Sequence, residues 1–186
     1  MTFTRIFTPT STLARTLAVA GATVGFAGVM WWGYVAFGAR SVWFSFFTVW
    51  FPTAWFAVVD AAVQVRLPPW VYRLRPVELR GRLYELLGVR VAKKLLRRGP
   101  LSIFSRGLRL HGERTPQAIA RLEQQMLRAE TAHLVVLVAV LPVAVVQAWL
   151  GWWDAMGWTL LFDVLVNAYP AMVQRYNRAW LQRLTP

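Results

Sequence analysis

The stretch TAHLVVLVAVLPVAVVQAWL, Thr131 to Leu150, carries no formal charge and consists mostly of Val, Leu and Ala. As a helix rising about 1.5 Å per residue it reaches about 30 Å, the thickness of the hydrocarbon core of a bilayer. Three other stretches, Thr16–Gly38, Ser41–Val65 and Met156–Val173, are long and nearly uncharged in the same way. The pattern predicts an all-α, polytopic membrane protein. It has four transmembrane helices and a basic cytoplasmic helical segment, residues 66–128, between the second and the third. The whole chain, 1–186, reads as a single membrane domain. Composition agrees, because 57% hydrophobic residues with 11 Trp and a mean hydropathy of +0.42 leave more apolar surface than one soluble core can hide.

The net charge of +13 has to be located before its sign is interpreted. Of the 21 Lys and Arg, 15 lie between Arg66 and Arg128, three follow the last span (Arg175, Arg178, Arg183) and two precede the first (Arg5, Arg15). Only Arg40 falls on the other side. The positive-inside rule therefore predicts that both termini and the 66–128 segment are cytoplasmic, with short hairpins around Ala39–Arg40 and Gly151–Ala155 outside. Trp43, Trp149, Trp152, Trp153 and Trp158 sit where indoles settle at a headgroup boundary, and Trp70 and Trp180 mark the opposite one. The first span is too long for a secretory signal and leads directly into another span, so it is expected to be retained. The absence of Cys excludes disulfides, thiolate metal sites and a cysteine nucleophile.

The first span carries small residues at helical spacing, Ala18, Gly21, Gly25 and Gly28. Gly21 and Gly25 form a GxxxG pair, for which packing within the chain is expected ahead of a homodimer face. Pro52, Pro142 and Pro170 lie inside spans, where a missing N–H kinks a helix. Within the basic segment, Pro76 to Leu96 reads as an amphipathic helix lying on the membrane surface. Leu79, Leu83, Leu86 and Leu87 are on one face, and Gly88 is a point of bending or ending. Gly99-Pro100 breaks what precedes it, and Ser102 to Arg114 reads as irregular. Thr115-Pro116 then supplies an N-cap and a first-turn proline for a helix that runs through Arg128 and Glu130 into the third span.

Ionisable groups in or at the ends of spans are costly to place and are functional candidates by default. Here they are Asp60, Glu130, His133 and Asp163. Glu130 and His133, three apart, share a helix face, as does Glu123 seven residues earlier. A histidine oriented by a carboxylate is a usual general base. The plainer alternative pairs Glu130 with Arg128 or Arg121 and leaves His133 a packing contact. Glu130-Thr-Ala-His133 also matches one Glu-x-x-His motif of a di-iron bundle, but such sites need two motifs and further glutamates, so no metal is expected. The His-x4-Asp and Gly-x-Ser-x-Gly patterns, a phosphate-binding glycine loop and a dinucleotide fingerprint are all missing. The basic cluster Arg90, Lys93, Lys94, Arg97 and Arg98 has three readings. It reflects topology and contact with anionic lipid, it recognises a phosphorylated substrate, or, least favoured for want of interleaved aromatics, it binds nucleic acid.

Three stretches occur in order: Arg82-Leu-Tyr84-Glu85-Leu-Leu-Gly88-Val-Arg90, Arg121-Leu-Glu123 through Arg128-Ala-Glu130-Thr-Ala-His133, and Asn167-Ala-Tyr169-Pro170 through Gln174-Arg175-Tyr176-Asn177-Arg178. Together, over roughly residues 70 to 180, they resemble the glycosyl-4,4'-diaponeurosporenoate acyltransferase family of staphyloxanthin-type carotenoid biosynthesis, small bacterial membrane proteins. The resemblance implies an enzyme of the bacterial cytoplasmic membrane. It would move a fatty acyl group, with acyl-CoA as co-substrate and no cofactor, to a hydroxyl of a glycosylated carotenoid or similar lipid acceptor. It further implies His133 as general base, Glu130 orienting it, and Arg175 with Asn177 steadying the thioester oxygen. Glu123, Arg128, Gln174, Tyr176, Arg178, Arg90, Lys93 and Lys94 are the implied substrate contacts.

Two rivals stay open at the level of sequence. A non-catalytic subunit or scaffold would bind lipid, pigment or a partner membrane protein through the glycine stripe, with a homo-oligomer or a membrane complex as its form. A small transporter would need a polar path across the bilayer, toward which only Asp163 and Asn167 point.

Overall fold

A computed structural model of the chain describes residues 11–91, 94 and 115–184, all of it helix and connecting turns with no strand among the described residues. Among the described residues eight helical pieces have both ends in view and follow in order, with 89–91 also helical. They are α1 (Thr12–Phe37), α2 (Val42–Val63), α3 (Pro69–Tyr72), α4 (Pro76–Leu79), α5 (Arg82–Leu86), α6 (Pro116–Trp149), α7 (Trp153–Asp163) and α8 (Tyr169–Leu184), with a π-helical turn at Val164–Ala168 between the last two. Four helices, Thr12–Phe37, Val42–Val63, Pro116–Trp149 and Trp153–Arg183, are long and apolar enough to cross a membrane. Lys93, Arg97 and Arg98 of the cation cluster, Gly99-Pro100 and the expected irregular stretch Ser102–Arg114 lie outside the described residues.

The chain forms two units, Met1–Val65 with Ala132–Ala168 and Arg66–Thr131 with Tyr169–Pro186. In the first unit, serine side chains start both early helices: Ser11 accepts from Ala14 N–H and Ser41 from Phe44 N–H. Each satisfies an N–H that has no partner inside the helix. Gly38 at φ +78° ends α1. The helices α1 and α2 meet where Gly33 faces Phe47, since a Cβ at Gly33 would lie 2.7 Å from the ring, and where Trp55 Nε1 donates to Thr23 Oγ1 at 3.0 Å. Gly21, Gly25 and Gly28 have no neighbour within 4 Å of a built Cβ. The expectation that the GxxxG stripe packs within the chain is thereby corrected, because the close contact falls two turns further on, at Gly33. The core of this unit is Val49, Phe56, Val136 and Val140, with Trp55, Val135, Phe162 and Val166 packed against it. Trp31, Trp32, Trp43, Trp149, Trp153 and Trp158 are exposed on its outside.

The fourth span differs from a plain helix for a local reason. The Pro170 ring would collide with the carbonyl of Val166, four residues back, and Pro170 has no N–H to offer it. The π turn at Val164–Ala168 takes up the mismatch by widening the helix there. Widening also rotates Asn167 into the interior, where it is fully buried.

In the second unit the expected single helix from Pro76 to Leu96 is broken. Gly81 at φ +74° and Gly88 at φ +74° stop α4 and α5 after one turn or so. Only glycine adopts this backbone without penalty, and a Cβ at Gly81 would also lie 3.2 Å from the Tyr176 ring. Leu83, Leu86 and Leu87 are exposed, and Tyr84, Val89 and Val173 make the core. The helix α6 starts as the sequence predicts, with Thr115 Oγ1 accepting from Ala118 N–H at 3.2 Å, and runs unbroken past Glu130 and His133.

Candidate active site

Two polar clusters are buried, one in each unit. In the first, Asn167 is the centre. Its Nδ2 donates to Asp163 Oδ1 at 2.8 Å, and its Oδ1 lies 3.3 Å from His133 Nδ1 and accepts from Thr53 Oγ1 at 3.1 Å. Asp163 fixes the amide orientation: a carboxylate oxygen faces the NH2 group, so the amide oxygen must face the imidazole. The contact is then a hydrogen bond only if His133 Nδ1 carries the proton, which leaves Nε2 with its lone pair. Asp163 and Asn167 are buried, and His133 is half-buried.

In the second unit Glu130 is fully buried, and each of its oxygens accepts from an arginine, Oε1 from Arg175 Nη1 at 2.6 Å and Oε2 from Arg178 Nη1 at 2.6 Å. Arg175 uses every N–H it has. Nε faces Glu78 Oε1 at 2.9 Å and Tyr84 Oη at 3.2 Å, Nη1 also reaches the Val71 carbonyl at 2.9 Å, and Nη2 donates to the Arg73 carbonyl at 3.0 Å and Glu78 Oε2 at 3.1 Å. Arg178 Nη2 donates to the Tyr72 carbonyl at 2.9 Å. The Tyr72 hydroxyl in turn bonds Thr131 Oγ1 at 2.7 Å. Two carboxylates balance two guanidiniums, the condition under which buried charges are tolerated.

Glu78 is shaped by its position. Burial works against its charged form, but hydrogen bonds from the Arg175 guanidinium, the Arg75 backbone N–H and the Tyr84 hydroxyl outweigh it and bring the carboxyl down to about 2. The Tyr84 hydroxyl donates to Glu78 in a short hydrogen bond. Burial first, and then this bond, push the Tyr84 phenol up to about 12.

The residues expected from sequence therefore divide. Glu130, Arg175 and Arg178 come together, while the hydrogen bonds of Glu130 lead to arginines and that of His133 leads to Asn167. The expected Glu130–His133 couple gives way to these partners, as does the alternative with Arg121 or Arg128. Arg175 has no N–H left for a thioester oxygen. Tyr176 and Arg90 meet on Glu85 Oε1, at 3.2 and 2.6 Å. Gln174 is buried with Oε1 unpartnered, and Arg178 Nε, one helical turn on, is likewise unpartnered. Glu123 and Asn177 are half-buried, Arg128 and Lys94 are exposed, and Lys93 is outside the described residues. Sequence reasoning missed Thr53, Glu78 and Tyr72, gave Tyr84 no role beyond its place in a motif, and saw Asp163 as an ionisable candidate within a span and, with Asn167, as support for a transport path. The spacing of four between Asp163 and Asn167 inside a span was the available signal. Among the described residues no group of His, Asp and Glu side chains is arranged to hold a metal ion.

The described residues form an all-helical membrane protein in which a half-buried histidine meets a buried asparagine. The family model for glycosyl-4,4'-diaponeurosporenoate acyltransferase matches residues 68–185, and the chain belongs to that family. It is an acyltransferase of carotenoid biosynthesis, and the match spans the segment in which the sequence motifs were found. No curated protein and no solved structure gives a significant match.

Proposed function

We propose that the enzyme moves a fatty acyl group from acyl-CoA to a hydroxyl on the sugar of a glycosylated carotenoid, with His133 as general base. The observation that carries the mechanism is the Asp163–Asn167–His133 chain of hydrogen bonds. Asn167 holds the imidazole in the tautomer whose Nε2 accepts a proton. The acceptor hydroxyl oxygen attacks the thioester carbonyl carbon as Nε2 takes the hydroxyl proton. The C–O bond forms, the tetrahedral intermediate collapses, the C–S bond breaks, and the imidazolium returns the proton to the departing thiolate. Metal and cofactor have no part in these steps.

The second unit serves a different purpose. Its Arg175–Glu130–Arg178–Glu78 network fixes the helices of that unit, and its exposed cations include Lys94 and the Glu85-paired Arg90. The concentration of Lys and Arg in 66–128 supports a cytoplasmic location for this unit and for both termini, in a bacterial cytoplasmic membrane. A cytoplasmic donor site agrees with acyl-CoA as a soluble co-substrate.

Mass spectrometry of lipids from cells that make a glycosylated carotenoid tests the reading. Wild-type protein should add one acyl mass to the carotenoid glycoside, and His133→Ala at matched expression should add none. An acyl mass added equally by the variant would remove His133 from the mechanism, and none with the wild type would remove the acceptor.

A further inference from the structure

Three spans meet at the Asn167 amide. Asp163, on the same span, accepts from its nitrogen at 2.8 Å, Thr53 of α2 lies 3.1 Å from its oxygen, and His133 of α6 lies 3.3 Å from that same oxygen. The histidine contact is the longest of the three. An asparagine amide turns easily about the bond that joins it to its side chain, because that torsion is broad. The bond to Asp163 restrains the turn at the nitrogen alone. A second bond, from Thr53 to the oxygen, sets the plane of the amide and with it where the oxygen stands relative to His133 Nδ1.

Thr53 differs from the threonines that resemble it. Thr16, Thr23, Thr48 and Thr131 give their hydroxyl proton to the carbonyl four residues back, a common habit of threonine in helices. At Thr23 the second neighbour is Trp55 Nε1, a donor, so the hydroxyl gives to one group and accepts from the other. At Thr53 the Val49 carbonyl at 3.0 Å and the Asn167 amide oxygen at 3.1 Å are both acceptors, and a hydroxyl has one proton to give. A carbonyl inside a helix is already served by the backbone N–H four residues on. The amide oxygen has no such partner, so the proton belongs with Asn167.

We propose that Thr53 is a positioning residue for the acyl transfer, its hydroxyl holding the Asn167 amide so that His133 keeps its proton on Nδ1 and its lone pair on Nε2. The inference rests on His133 as the general base. Thr53 acts on the histidine only through Asn167.

The chain has two histidines, so isotopic labelling of histidine nitrogen in the full-length protein, embedded in lipid bilayers, gives two ring systems, which His111→Gln tells apart. Solid-state NMR then reads which nitrogen of the neutral His133 ring carries the proton. Wild type should show one tautomer, protonated on Nδ1. Thr53→Val, similar in shape but without a donor, should show both tautomers, and Thr53→Ser, which keeps the hydroxyl, should show the single form again. In turnover, Thr53→Val should lower kcat about tenfold, the reach of one hydrogen bond, with KM for donor and acceptor unchanged. Thr53→Ser should keep the wild-type kcat. Should Thr53→Val fail to fold, Thr53→Ala carries the same expectation. A wild-type His133 protonated on Nε2, a single tautomer with full kcat in Thr53→Val, an equal loss in Thr53→Ser, or a loss confined to KM would each overturn the proposal. Mixed tautomers in Thr53→Val, in a protein that transfers no acyl group to any acceptor, would uphold the positioning and overturn the reaction.

Discussion

The two buried polar clusters differ in what they leave unfinished. Around Arg175 all five guanidinium N–H groups are occupied, both carboxylates of the network are paired, and even the neighbouring tyrosine is tied into it. Around Asn167 the network reaches His133 through Nδ1 alone, at 3.3 Å from the amide oxygen. An ion-paired network can position a backbone but cannot accept a proton without breaking itself, and in the proposed mechanism the chemistry falls to the cluster that holds the histidine rather than to the cluster with four ions.

The comparison predicts different failures on the two sides. Arg175→Ala leaves Glu78 and Glu130 unpaired in the interior, which costs on the order of 3–5 kcal/mol. It should lower the melting temperature in detergent sharply or prevent accumulation. Arg175→Lys should recover little, because an ammonium has three donors where the site uses five. A variant as stable as wild type would show that the network is not the keystone of its unit.

A smaller effect sharpens the contrast through pH. Glu78 titrates at about 2 in the folded protein against an ordinary 4.5, so its contribution is complete above 4.5 and is lost as pH falls through 2. Tyr84 runs the other way: with its phenol raised from 10 to about 12, its contribution is complete below 10 and lost as pH rises through 12. Between 4.5 and 10 these two groups therefore leave the melting temperature level. A steep change inside that window would put another group in control. The smallest effect belongs to Arg40, whose pair with Asp154 at 3.0 Å is exposed on both sides. Arg40→Ala should leave the melting temperature unmoved, as solvent-screened pairs usually do.

Much of the fold was legible because hydropathy over eighteen or more residues has few other meanings in a helical chain. The four spans followed from it, and the Thr115-Pro116 pair marked the N-cap of the helix that runs unbroken through Glu130. The site was less legible, for reasons visible in particular residues. Glu130 lies three positions from His133, and spacing alone made them partners. Its real partners are 45 and 48 positions away on α8, a distance that periodicity cannot read. Asn167 points inward because a π turn precedes Pro170, and one widened turn leaves no trace in hydropathy. The break at Gly81 was hidden because Leu79, Leu83, Leu86 and Leu87 keep helical spacing across a turn that is not helical. The conformational freedom of glycine decided there against the pattern of its neighbours.

The most direct test of the central claim, that chemistry resides at His133 and architecture at Glu130, measures turnover and melting temperature together for His133→Ala and Glu130→Gln. The account predicts that His133→Ala melts like wild type and loses about 10²- to 10⁴-fold in kcat. Glu130→Gln should melt at a lower temperature while its folded fraction keeps its kcat. A Glu130→Gln protein that melts normally yet is inactive, beside a His133→Ala protein that still turns over, would contradict it.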